Sequence, residues 1–202
     1  MKCLAIDTSG YHLTVALIDG KEVNSIFIDN CNLKHSVVLM PKIEELLTSL
    51  NVKISEIDVF ACCVGPGSFT GIRIGVSAVK AFAYAHSKKV LGVTSFDSLA
   101  YNNLSGNNLA VIDARHDNYY ALLFNGTTPV DSPSFINGET LTNLKSQVDA
   151  VLSFEQTETL VKTADIKQGF ISAVLDKLSL ATFDIESVNP LYVRKSQAEE
   201  SL

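Results

Sequence analysis

Asp7-Thr8-Ser9 and the string Gly65-Pro66-Gly67-Ser68-Phe69-Thr70-Gly71 are the two places in this sequence where polar and small residues gather at the end of an apolar run. Glycines in such a string let backbone N–H groups turn outward, and a helix that starts at its end adds partial positive charge, so together they could hold a phosphate or another anion. The string lacks the lysine of a GxxxxGK[ST] nucleotide loop and does not follow GxGxxG, which leaves a tight strand-to-helix connection as the competing reading. Asp7 and Asp113 would form a paired-carboxylate cleft if the two halves of the chain were related, although turn or capping roles are the commoner use of such aspartates. Asp113-Ala114-Arg115 would equally serve as an ion pair at a hairpin end. Candidate anion or vestigial-cleft residues are therefore Asp7, Thr8, Ser9, Gly65, Gly67, Ser68 and Asp113.

Other chemistries find little support. The histidines His12, His35, His86 and His116 are scattered, with none at i, i+4 from another, and Leu39 stands where a second helical ligand to a metal held by His35 would be needed. Ser68 has no GxSxG frame or neighbouring histidine for nucleophilic catalysis. The four cysteines, Cys3, Cys31, Cys62 and Cys63, contain no CxxC pair, and adjacent Cys62 and Cys63 in a strand would face opposite sides. They read as reduced thiols filling a core, and no metal or cofactor is expected.

The elements that must position these residues follow from periodicity. Lys2–Thr8, Leu13–Asp19 and Val23–Asp29 read as a β-meander, with Asp19-Gly20 marking a tight hairpin. From Lys34 to Asn51, Val37, Met40, Ile43, Leu47 and Leu50 recur at helical spacing, and Leu39 and Leu46 widen the apolar stripe to nearly half the circumference. A contact with one sheet needs only about 100° of arc, so part of the stripe is available to a second partner or to a groove within the chain. Val59–Val64 is apolar throughout, the pattern of a strand buried on both faces. A second helix, Thr70–Ser87, carries Gly71, Gly75, Ala78, Ala81 and Ala85, which let another backbone come close, and a narrow polar stripe of Arg73, Ser77, Lys80 and Tyr84. Val90–Val93 and a short helix Ser95–Tyr101, capped by Ser95 or Asp97, close a first lobe of residues 1–101. The turn cluster Asn102–Asn108 opens a smaller lobe of residues 102–196, in which Leu109–Asp113 and Tyr119–Phe124 echo the opening hairpin. A strand near Ala150–Ser153 and a helix Asp165–Leu178 follow, and 197–202 reads as a disordered tail.

Composition bounds the function. Sixteen basic and 22 acidic residues give a net charge of −6, balanced over 1–100 and acidic beyond; without a basic stripe, direct nucleic-acid binding is not expected. No apolar run approaches the ~20 residues of a membrane helix, and no basic segment followed by a long apolar core opens the chain, so a cytoplasmic protein is expected.

Gly65-Pro66-Gly67-Ser68-Phe69-Thr70-Gly71-Ile72-Arg73-Ile74-Gly75, with Asp7-Thr8-Ser9 and His35-Ser36 before it and Asp113-Ala114-Arg115 and Pro190-Leu191-Tyr192-Val193-Arg194 after it, resembles the bacterial TsaB (YeaZ) family over nearly the whole chain. The resemblance implies a two-lobe α/β fold, actin-like and sugar-kinase-like (ribonuclease H-like), with a reduced second lobe. It implies a role in forming threonylcarbamoyladenosine in tRNA, as a non-catalytic subunit of a related TsaD-like transferase and with a TsaE-like ATPase. It also accounts for an older glycoprotease label that these residues do not support. The family docks the two first-lobe helices on its partner; carried over, the contact candidates are Val37, Met40, Leu47, Arg73, Ser77, Lys80 and Tyr84, and the same faces could pair as a homodimer in isolation. The alternative is a small ATP-dependent phosphotransferase or hydrolase using Asp7 and the Gly65–Gly71 loop.

Overall fold

Asp19-Gly20, with Gly20 at φ 61°, reverses the chain between β2 and β3, so that β1 (Lys2–Asp7), β2 (Leu13–Asp19) and β3 (Glu22–Ile28) form the antiparallel meander read from the sequence. The computed structural model describes residues 1–31, 34–157, 160 and 163–193. Helix α1 (His35–Ser49) leads to β4 (Val59–Cys63), parallel to β1, and α2 (Phe69–His86) leads to β5 (Lys89–Val93). The first sheet thus has the order β3-β2-β1-β4-β5.

Strand alternation divides its side chains between two cores. Leu4, Ile6, Val15, Phe60 and Cys62 pack under α1 and α2, whereas Cys3, Ala5, Ala16, Ala61 and Cys63 face the other way. The second set is small, and α5 (Ile166–Lys177) lies against it through Phe170, Ala173 and Val174. All four cysteines are buried fillers; burial pushes the Cys3 thiol up to about 12 and raises Cys62 and Cys63 as well, so these three remain protonated.

After α3 (Ser95–Ala100), β6 (Asn107–Arg115), β7 (Asn118–Asn125), β8 (Thr128–Pro129), β9 (Ser134–Asn137), α4 (Gly138–Lys145) and β10 (Ala150–Leu152) build the second sheet. Its centre repeats the first: β6 pairs antiparallel with β7 and parallel with β10, as β1 does with β2 and β4. This repeat gives the chain two α/β halves, each built on the same central strand pattern. The covering helices are exchanged relative to chain order. Phe96, Leu99 and Ala100 of α3 cover one face of the second sheet, while α5 and the segment 184–193 return to the first. The tail at 197–202 lies outside the described residues.

One local reading is corrected. The cap of α3 is Thr94, not Ser95 or Asp97: Asp97 N donates to Thr94 Oγ1 at 2.9 Å and Thr94 N to Asp97 Oδ2 at 2.8 Å, a capping box just ahead of the helix start at Ser95. Replacing Thr94 by alanine is expected to cost about 1 kcal/mol in urea unfolding. Helix α4 and the short β8 and β9 leave little trace in the sequence; among α4's side chains only Leu141 is buried, too little apolar periodicity to register.

Candidate functional site

The glycines of the 65–75 string are packing devices. A Cβ on Gly71 would stand 2.1 Å from Thr8 O, one on Gly67 2.2 Å from Ser9 O, and one on Gly75 2.6 Å from Thr8 Oγ1. Helix α2 therefore starts in backbone contact with the end of β1, closer than any side chain permits. The polar groups there are consumed by the same junction. Ser68 N donates to Ser9 O at 2.6 Å, Thr8 Oγ1 to Gly71 O at 2.7 Å, and Gly71 N to Ser68 Oγ at 3.2 Å, so the serine caps the helix.

Asp7 is likewise committed to the interior. Its Oδ1 accepts from Ser9 N at 2.8 Å, and its Oδ2 lies 2.9 Å from His12 Nε2 in an oblique contact. His12 O in turn stands 2.8 Å from His35 Nε2, which ties α1 to the hairpin. Burial alone would raise the Asp7 pKa, but the electrostatic attraction of the adjacent His12 imidazole, with the hydrogen bonding from Ser9, outweighs it and holds the carboxyl below its ordinary value.

A cleft of about 450 Å³ opens between Ser9–His12, Pro66–Ser68 and Ser95 on one side and Ile112–Arg115, Tyr120 and Phe154–Glu155 on the other. Of the candidate residues, Ser9, Gly67, Ser68 and Asp113 line it; Asp7, Thr8 and Gly65 do not. Asp113 thus meets a different carboxyl from the one expected. Its backbone N donates to Glu155 Oε2 at 3.2 Å, while its own Oδ1 accepts from Arg115 N at 2.8 Å. Glu155, raised by burial and by the Asp113 charge, is a cleft residue that no motif flagged. Its signal was its place just past strand β10. Across the mouth, the Arg115 guanidinium donates to Tyr11 Oη, joining the two sides.

The outer surface of α1 and α2 sorts the contact candidates. Val37 is 70% exposed, Met40 46% and Tyr84 81%, and Ser77 is exposed. Leu47 is corrected: at 7% exposure it packs into the first core with Leu39, Ile43 and Leu46. Its position one turn beyond Ile43 puts it on the sheet-facing side. The small-residue face of α2 also divides, with Gly71, Gly75 and Ala78 buried under the helix and Ala81 and Ala85 exposed. Arg73 and Lys80 point outward but touch the returning segment, Arg73 through Tyr192 and Lys80 through Glu186 and Asn189.

Comparison with known proteins places these features. Residues 29–200 match the family model described as TsaD, tRNA N6-adenosine threonylcarbamoyltransferase. The chain is 34% identical over 126 residues to the Bacillus subtilis tRNA threonylcarbamoyladenosine biosynthesis protein TsaB, covering 61% of this chain and 55% of that protein. It is 33% identical over 124 residues to the Escherichia coli protein of the same name, covering 59% and 53%. The chain thus spans about half the length of the curated relatives it matches. YeaZ from Pseudomonas aeruginosa superposes with a TM-score of 0.74 at 22% identity, covering 95% of this chain and 99% of that one, and shares its fold.

Proposed function

Because the chain belongs to the TsaD family, and within it to the TsaB (YeaZ) proteins, we propose that it is a non-catalytic subunit that binds a TsaD-like transferase and supports formation of threonylcarbamoyladenosine in tRNA. The assembly works in the cytoplasm, with a TsaE-like ATPase as a further member and self-association of the same faces when the partner is absent. The observation that carries this reading is the division of α1: Leu39, Ile43, Leu46 and Leu47 satisfy the sheet, while Val37 and Met40 stay exposed, as do Ser77, Ala81 and Tyr84 of α2. Exposed apolar side chains on one helix and small ones on the other suit a partner helix laid along the pair.

The alternative, an ATP-dependent phosphotransferase or hydrolase, would need Asp7 and the glycine string free to meet a substrate. Asp7 is 1% exposed and held by His12 and Ser9, and the glycines hold α2 against Thr8 and Ser9. Both groups serve the fold instead.

The test is a calorimetric titration of the purified chain with the TsaD-like transferase of the same genome. A stable complex is expected, and Val37→Ser with Met40→Ser should weaken it about tenfold without lowering the melting temperature, the loss of two apolar contacts at an interface. ATP turnover by the chain alone should stay at background; turnover abolished by Asp7→Ala would overturn the subunit reading.

A further inference from the structure

The segment 184–193 treats the two cations of α2 in opposite ways. Lys80 Nζ lies 3.1 Å from Glu186 Oε2 and 3.1 Å from Asn189 Oδ1, so its charge is neutralised within the chain. Arg73 is held without being neutralised. Its Nε donates to Tyr192 Oη at 2.8 Å, and its guanidinium lies 3.8 Å from the Phe69 ring centroid and 5.7 Å from that of Tyr192, with the two rings stacked at 5.0 Å. Among the described residues, no carboxylate stands within 4.0 Å of it. Phe69 is 41% exposed and Tyr192 43%, so the stack sits at the surface.

We propose that Arg73, set in place by Phe69 and Tyr192, is a preformed anchor for an aspartate or glutamate side chain of the TsaD-like partner. The inference rests on the docking reading above and names the chemistry of its contact. With Nε taken by a neutral hydroxyl and one face covered by a ring, the terminal Nη groups are the donors left, and their fork matches the two oxygens of a carboxylate. The side chain has already lost much of its rotamer freedom before binding, which removes part of the cost of association. Charge complementarity also selects register. The neighbouring helix α1 exposes Glu44 on a chain of net charge −6, so a partner acid that misses Arg73 meets like charge. The small residues Thr70 and Ser77, one turn to either side, leave room for the partner backbone. Tyr192 is a positioning residue, and the role of the returning segment is to orient one cation while quenching the other.

The experiment is calorimetry with the TsaD-like transferase of the same genome at low and high salt. Arg73→Lys, which keeps the charge but loses the fork and the stacking, should weaken binding about tenfold. Tyr192→Phe, which keeps the ring but removes the acceptor, should cost about threefold. Lys21→Gln, an exposed cation in the turn between β2 and β3 and away from both helices, should leave Kd unchanged, and Arg73→Gln should flatten the salt dependence. Melting temperatures of these surface variants should match the parent's. One acid-to-lysine change on the partner should restore binding to Arg73→Glu. If the parent binds and Arg73→Lys and Arg73→Gln bind equally well, the anchor is overturned and the docking reading survives. Failure of the parent to bind would overturn both. A loss confined to tRNA retention or to self-association would assign the guanidinium to a phosphate or a second copy and overturn the proposal as well.

Discussion

Alanine in place of Gly71 is expected to destabilise the protein by about 3 kcal/mol, an overpacking penalty at the upper end of its usual range. The added Cβ would stand 2.1 Å from Thr8 O, a buried backbone atom just past the end of the central strand β1, and the same shift would disturb the Thr8 Oγ1 bond to Gly71 O. Helix α2 would have to lift from β1, weakening the core contacts of Ile72, Val76 and Val79. Urea unfolding checks it. Were the string instead an exposed anion cradle, alanine would change ligand affinity and leave the unfolding midpoint in place.

Asp7→Ala is expected to cost about 3 kcal/mol, the upper end of the usual penalty for leaving buried polar groups without their acceptor. The orphaned group would be His12, itself buried and linked through its carbonyl oxygen to His35. The pH dependence follows from the depressed Asp7 pKa. Above the ordinary carboxylate range, near about 4, Asp7 is ionised in folded and unfolded chains alike and its contribution is complete. As pH falls below that range, the unfolded chain binds the proton first, so stability declines until the folded carboxyl also titrates. Asp7→Asn should therefore flatten the acid limb of a stability-against-pH curve measured by chemical unfolding. An unchanged limb would show that the Asp7–His12 contact carries no such linkage.

Both expectations concern residues that, read as a motif, promise catalysis. Asp7 and the glycine string were conspicuous because aspartate at a strand end and glycine before a helix are the materials of a phosphate site. They are equally the materials of a close junction between a strand and a helix. Composition cannot separate the two uses, since the deciding quantity is the distance from Gly71 to a carbonyl 63 positions earlier in the chain. Glu155 illustrates the converse. No motif marks it beyond its place just past β10, and it enters the cleft because β10 pairs with β6 and brings it to the backbone of Asp113.

The local grammar of the chain was sufficient for much of the fold. Asp19-Gly20, the alternating runs at Leu13–Asp19 and Lys2–Thr8, and the spacing in both long helices specify their elements within a residue or two, because hydrogen bonding and side-chain period act over a few positions. The apolar run from Val59 was enough to mark a strand buried on both faces, and the GPGSFTGIRIG string was enough to point to the family. What folding alone decided is which side of each element faces outward: Leu47 inside but Val37 outside, Gly71 against Thr8, Lys80 neutralised but Arg73 displayed. Those outcomes depend on partners far away in sequence, above all on the return of α5 and of the segment 184–193 to the first sheet. Periodicity defines a stripe on a helix, and only the neighbours that fill the space around it determine which part of that stripe is left for another molecule.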